Sequence, residues 1–108
     1  MDFSQISALA LKVRHQYAEI EKKKYGKSWT TEQLALGFVG DVGELAKLIQ
    51  AKTGNRAGDD LDAKLSHELA DCLWSIIVLA DASNIDLEQA FVKTMSGLQK
   101  RDQILTEN

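Results

Sequence analysis

Two segments of this chain are apolar around most of their circumference, and that feature governs what it can fold into. "QLALGFVGDVGELAKLIQAK" covers residues 33–52 and "LDAKLSHELADCLWSIIVLADA" covers residues 61–82. In the second, Leu65, Leu69, Leu73 and Ile76 fall on one side of a helix, while Trp74, Ile77 and Val78 fall elsewhere. A helix apolar nearly all round belongs inside a core. A chain of 108 residues has too few other helices to cover both sides of two such elements. The expected fold is all-α: a four-helix subunit with a helical-bundle core completed by oligomerisation, as a homodimer or homotetramer.

Local signals agree. Proline is absent and strand-like alternation is hard to find. A first helix is expected over residues 4–24, with Gly26 as its stop. The second begins after Trp29, where Thr30 and Gln33 have capping-box spacing, and runs to about Lys52 before Gly54. A polar loop, Thr53 to Asp60, separates it from a third helix that ends at Ala82, with Asn84 suited to a left-handed cap. Asp86 and Gln89 announce the fourth, with Ile85 placed as a staple, and it reaches about Leu105. Residues 1–108 read as one domain.

The net charge of −3 argues against a general nucleic-acid or anionic-membrane binder, because no basic surplus exists to neutralise phosphates. Cys72 is the single cysteine, so no intrachain disulfide forms; its apolar setting marks a small core residue and a reducing compartment. No apolar run approaches transmembrane length, and "MDFSQISALALKVR" lacks the basic start of a secretory signal, so a cytoplasmic location is expected.

Set into these greasy segments are acids in pairs. Glu68 and Asp71 are three residues apart and share a helix face, about 60° from one another. Asp41 and Glu44 repeat the device on the preceding helix, beside Gly37 and Gly40, which leave open space; Gly43 on the other side suits a close helix approach. A short loop makes the two helices antiparallel neighbours, so that four carboxylates converge. Converging carboxylates repel, and their natural neutraliser is a hard divalent cation with oxygen ligands, a chemistry suited to phosphoanhydride hydrolysis. A solvated acidic stripe, serving a non-catalytic helical dimerisation module with a basic partner, is the other reading of the same residues.

"LALGFVGDVGELAKLIQAK" followed by "HELADCLWSIIVLADASNIDLEQAFVKTM" resembles the MazG-type, all-α nucleoside triphosphate pyrophosphohydrolases, in particular the short MazG-like and dCTP-pyrophosphatase-like branch. The likeness runs from about Tyr17 to Met95. It implies Mg²⁺-dependent (or Mn²⁺-dependent) cleavage of a (deoxy)nucleoside triphosphate to the monophosphate and pyrophosphate, a nucleotide-pool cleaning role, and compact oligomers. By position, Asp41, Glu44, Glu68 and Asp71 become metal ligands, with Asp41 or Glu44 activating the attacking water. Asp41 stands where the family usually has Glu, which shortens its reach by a methylene. Gly40 stands where some relatives have a further acid. On the last helix Lys93 is displaced by one from the family's phosphate-contacting lysine, leaving Lys93, Lys100 and Arg101 as its alternatives. Phosphoribosyl-ATP pyrophosphohydrolase, from the same superfamily, is the alternative activity; the flanks match the MazG-like branch better.

Trp29 and Tyr25 fall where relatives place aromatics near the base pocket; stacking a base and sealing a helix corner are both open to them. His15 is a further substrate-binding position, or a packing residue. Ala51 replaces a tryptophan of some relatives, so a strict dCTP preference is not implied. His67 points about 100° away from Glu68, which speaks against a zinc site with Cys72. "EIEKKKYGK", residues 19–27, reads as a solvated helix end. Lys47 is spaced to pair with Glu44.

Overall fold

The computed structural model describes residues 1–54 and 60–107, and among these every regular element is a helix. In chain order they are α1 (Phe3–Tyr25), α2 (Thr31–Thr53), α3 (Leu61–Ala82) and α4 (Leu87–Glu107). The expected polar loop over Thr53 to Asp60 falls largely outside the described residues. Its flanks are tied by Lys52 and Asp62, whose Nζ and Oδ1 lie 2.6 Å apart.

The helix ends follow from their capping residues. Thr30 and Gln33 form the reciprocal box expected at the start of α2. Asp2 and Gln5 form a second box, and α1 begins at Phe3, one residue ahead of the expected start. Gly26 ends α1 with φ 79°, the left-handed conformation that glycine adopts without a Cβ penalty. Asn84 does the same after α3 at φ 57°, while the Ile85 N–H reaches back to the Ala80 carbonyl at 2.9 Å to close the turn. Asp86 accepts from the Gln89 N–H at 3.0 Å and opens α4.

α3 is the central element. It packs most extensively against α2, is crossed by α1, and makes its slightest contact with α4. Five of its residues are buried, Leu65, Cys72, Ser75, Ile77 and Val78, whereas α2 and α4 contribute none. Trp74 pins α1 to this helix: its indole N–H donates to the Ala10 carbonyl at 3.0 Å, and its ring meets Tyr17 edge-on, with centroids 6.2 Å apart.

The other side of α3 stays open. Leu69, Leu73 and Ile76 remain 51%, 45% and 40% exposed. The apolar residues of α4, among them Phe91, Val92 and Met95, are likewise exposed. The accessible surface is 8555 Å², about 2,500 Å² more than a compact protein of this mass presents. The radius of gyration, 17.5 Å, exceeds the roughly 13 Å of a compact chain this long. Gly43, expected to admit a close helix, has no other helix of this chain within 4 Å of where a Cβ would stand.

The turn from α1 to α2 departs from expectation. The stretch read as a solvated helix end contains a buried acid, Glu21. Its carboxylate accepts from Arg14 Nη1 at 3.1 Å and from the Trp29 N–H at 2.8 Å. Lys22, Lys23 and Lys24 around it are exposed, as expected. Seven residues separate Arg14 from Glu21, so the two share the face that turns towards the chain reversal. Burial pushes the Glu21 carboxyl pKa up; the Trp29 N–H, and then the hydrogen bond and charge of Arg14, together outweigh that and hold it below its usual value.

Candidate active site between three helices

One acid from each of α2 and α3 borders each of two openings: Asp41 and Asp71 line one cleft, Glu44 and Glu68 a second groove. Burial raises the Cys72 thiol pKa, and the negative charges of Asp41, Glu68 and Asp71 raise it further. A Cβ at Gly37 or Gly40 would meet nothing within 4 Å, so the space there is open with or without a side chain.

The acids differ in what they touch. Glu44 turns to Lys47, with Oε1 3.4 Å from Nζ. Asp71 meets His67, with Oδ2 3.1 Å from Nε2. The sequence weighed His67 only against Glu68 and Cys72; its contact in the fold is Asp71, one turn on. Glu68 has a buried Oε2 with no hydrogen-bond donor. A buried anionic oxygen without a partner is costly, and such atoms call for an ion or a ligand.

The cleft of Asp41 and Asp71 has a volume of about 570 Å³ and runs between α1, α2 and α3, within the range of small-molecule sites. Tyr25 and Trp29, 69% and 50% exposed, are among the residues that line it. Tyr17, Leu34 and Trp74 add to the apolar lining. One open space thus joins an aromatic wall to two of the four carboxylates. Arg14, Glu21 and Lys24 also border it, and nothing in the sequence reading had singled out the first two. Their signal was present as an oppositely charged pair at seven-residue spacing.

His15 is exposed on α1 and is not among the residues lining this cleft. Lys93 lies on α4, bordering a separate depression with Asp86, Glu88, Gln89 and Val92. Lys100 and Arg101 are exposed further along α4. Within one chain, then, none of the basic side chains considered for phosphate contact on α4 borders the aromatic cleft.

Among the described residues, no three His, Cys, Asp or Glu side chains are already gathered round a single point. The donor set nonetheless fits a hard divalent cation: carboxylate oxygens from two helices, one of them buried and lacking a donor.

The described elements are all helical, and acids of α2 and α3 line openings beside their packing. Residues 29–105 match the model of the MazG nucleotide pyrophosphohydrolase domain, and the chain belongs to that family. It is similar to dCTP pyrophosphatase 1 of Mus musculus, 32% identical over 95 residues that cover 82% of this chain and 56% of that protein. The same coverage holds for dCTP pyrophosphatase 1 of Rattus norvegicus, at 30% identity, and of Homo sapiens, at 32%. The chain therefore spans about half the length of the curated relatives it matches. No described helix is long and apolar enough to cross a membrane.

Proposed function

We propose that this protein is a nucleoside triphosphate pyrophosphohydrolase that converts a (d)NTP to the monophosphate and pyrophosphate with Mg²⁺ or Mn²⁺. The observation that carries this reading is the continuity of the cleft from the aromatic wall of Tyr25 and Trp29 to Asp41 and Asp71. Membership of the MazG family, and relatives named for dCTP hydrolysis, support it.

The residues divide the work by chemistry. Tyr25 and Trp29 stack the base, since every base offers a π-face. Asp41, Glu44, Glu68 and Asp71 hold the divalent cation, which when bound neutralises their mutual repulsion and the charge of the triphosphate. Asp41 or Glu44 accepts a proton from the attacking water. The water oxygen bonds to the α-phosphorus, the bond from that phosphorus to the bridging oxygen breaks, and pyrophosphate leaves with the electron pair. Lys93, Lys100 and Arg101 are the cations available to the phosphates, and they lie on the least-packed helix. His15 would join the substrate only by a movement towards the base end.

The active unit is a homodimer or homotetramer. Supporting this are the surplus accessible surface and the uncovered apolar faces of α2, α3 and α4. A deoxynucleotide panel tests the reaction: pure protein with each dNTP and Mg²⁺, products separated by ion exchange. Monophosphate and pyrophosphate in equal amounts are the expected outcome, and orthophosphate appearing first would reject it.

A further inference from the structure

Trp29 leaves its side chain half exposed, yet both of its backbone polar groups are held from α1. Its N–H donates to Glu21 Oε1 at 2.8 Å, and its carbonyl accepts from Arg14 Nη2 at 3.2 Å. Arg14 Nη1 in turn donates to both oxygens of Glu21, at 3.3 and 3.1 Å. The two charged side chains are only 13% and 11% exposed.

Such a pair is a poor device for stability alone, because its desolvation cost offsets much of its attraction. Nor does the start of α2 require it. The Thr30–Gln33 box already satisfies the first donors of that helix. What the pair adds is definition at a single residue, Trp29, one of the aromatics that line the cleft. The planar guanidinium fork spans a carboxylate and a carbonyl at once, which no other side chain does in this geometry.

We infer that Arg14 and Glu21 are positioning residues for the base end of the site, clamping the Trp29 backbone so that its indole stands as a fixed wall. This rests on the cleft being a nucleotide site. A wall held before binding loses little freedom when a base stacks on it, so the clamp acts on affinity. The base takes no part in bond breaking, so its stacking contributes equally in ground and transition states and sets KM rather than kcat.

The test compares wild type with Arg14→Met/Glu21→Leu, which removes both charges together and leaves neither buried alone. Three quantities are measured: KM and kcat for the dNTP that wild type turns over fastest, the Kd of its α,β-methylene analogue, and the Kd of inorganic triphosphate, which has no base. The double variant raises KM and the analogue Kd about tenfold, the scale of one lost stacking contact, while kcat stays within about threefold. Affinity for inorganic triphosphate is unchanged. Trp29→Ala reproduces the pattern with the clamp in place. Arg14→Lys keeps the charge but lacks the fork, so it gives a smaller rise in the same direction; it decides the matter if the double variant does not fold. Unchanged KM in a folded variant overturns the inference, as does an equal loss for nucleotide and inorganic triphosphate. If wild type itself binds and cleaves no nucleotide, the proposed function fails and the clamp's role falls with it.

Discussion

Asp71 rests against His67 one turn back on α3, with Oδ2 3.1 Å from Nε2. Between them in sequence, Glu68 keeps Oε2 buried without a donor. One acid of the pair is thus partnered and the other is not, and the difference matters for how each responds to substitution.

Glu68→Gln and Asp71→Asn preserve shape while deleting a hard anionic ligand. Without metal, both should melt at the wild-type temperature or above it, since repulsion among the acids is relieved; the gain should be larger for Glu68→Gln, because Glu68 Oε2 has no partner to lose while Asp71 gives up His67. On adding Mg²⁺ the upward shift should shrink, because a ligand stabilises the folded state only as far as it binds. Turnover should fall on the order of 100-fold or more. Calorimetry with and without Mg²⁺, beside an activity assay, checks this. Loss of stability with catalysis retained would make the pair structural.

The open apolar faces lead to an expectation about mass. Leu36 and Val39, 73% and 67% exposed on α2, cannot stay in water as part of so large a patch. Sedimentation velocity should find two or four times the 12.0 kDa of one chain. Leu36→Lys/Val39→Lys should shift the population towards the single chain and lower the melting temperature. A 12.0 kDa wild-type species at micromolar concentration would contradict the shared core.

Glu21 gives the protein an acid-sensitive joint. Its carboxyl pKa is held below the unfolded value by Trp29 and Arg14 against the opposing effect of burial. A depressed carboxyl pKa stabilises the fold above the unfolded value, about 4.3, and that contribution is lost as pH falls through the folded one. Wild type should therefore exceed Glu21→Gln in stability by a constant margin near neutrality, and the margin should close only below about pH 4. Urea unfolding of both proteins across pH 3 to 7 measures it; a margin that persists undiminished at the acid end contradicts the ion pair.

Trp74→Phe removes the indole donor that meets the Ala10 carbonyl at 3.0 Å. Losing that bond and leaving the acceptor poorly satisfied should cost about 1–2 kcal/mol. The melting temperature should drop by roughly 4–8 °C per kcal/mol for a chain of this size. No change in thermal unfolding would mean that water replaces the bond without cost.

Much of this fold was legible because its signals are local. The Thr30–Gln33 box, Asn84 at positive φ and the Asp86 cap are each set by a few adjacent residues. The two acid pairs were legible for the same reason: three-residue spacing puts them on one face before any tertiary contact is known. Arg14 and Glu21 were not. Their meaning depends on the chain reversal that brings Trp29 back to α1, and in "VRHQYAEIEKKKYGK" they hide among charges that are in fact solvated. The partner of His67 was not legible either: it is Asp71, one turn on. The expected close approach at Gly43 depends on what lies beyond one chain, and the subunit alone does not fill it.

The central claim is that water attacks the α-phosphorus of a nucleoside triphosphate held between the aromatic wall and the four acids. Hydrolysis of a dNTP with Mg²⁺ in ¹⁸O-labelled water, followed by mass spectrometry of the products, tests it most directly. The account predicts one labelled oxygen in the deoxynucleoside monophosphate and none in pyrophosphate. Label in pyrophosphate, label in orthophosphate released first, or no turnover with any dNTP would contradict it.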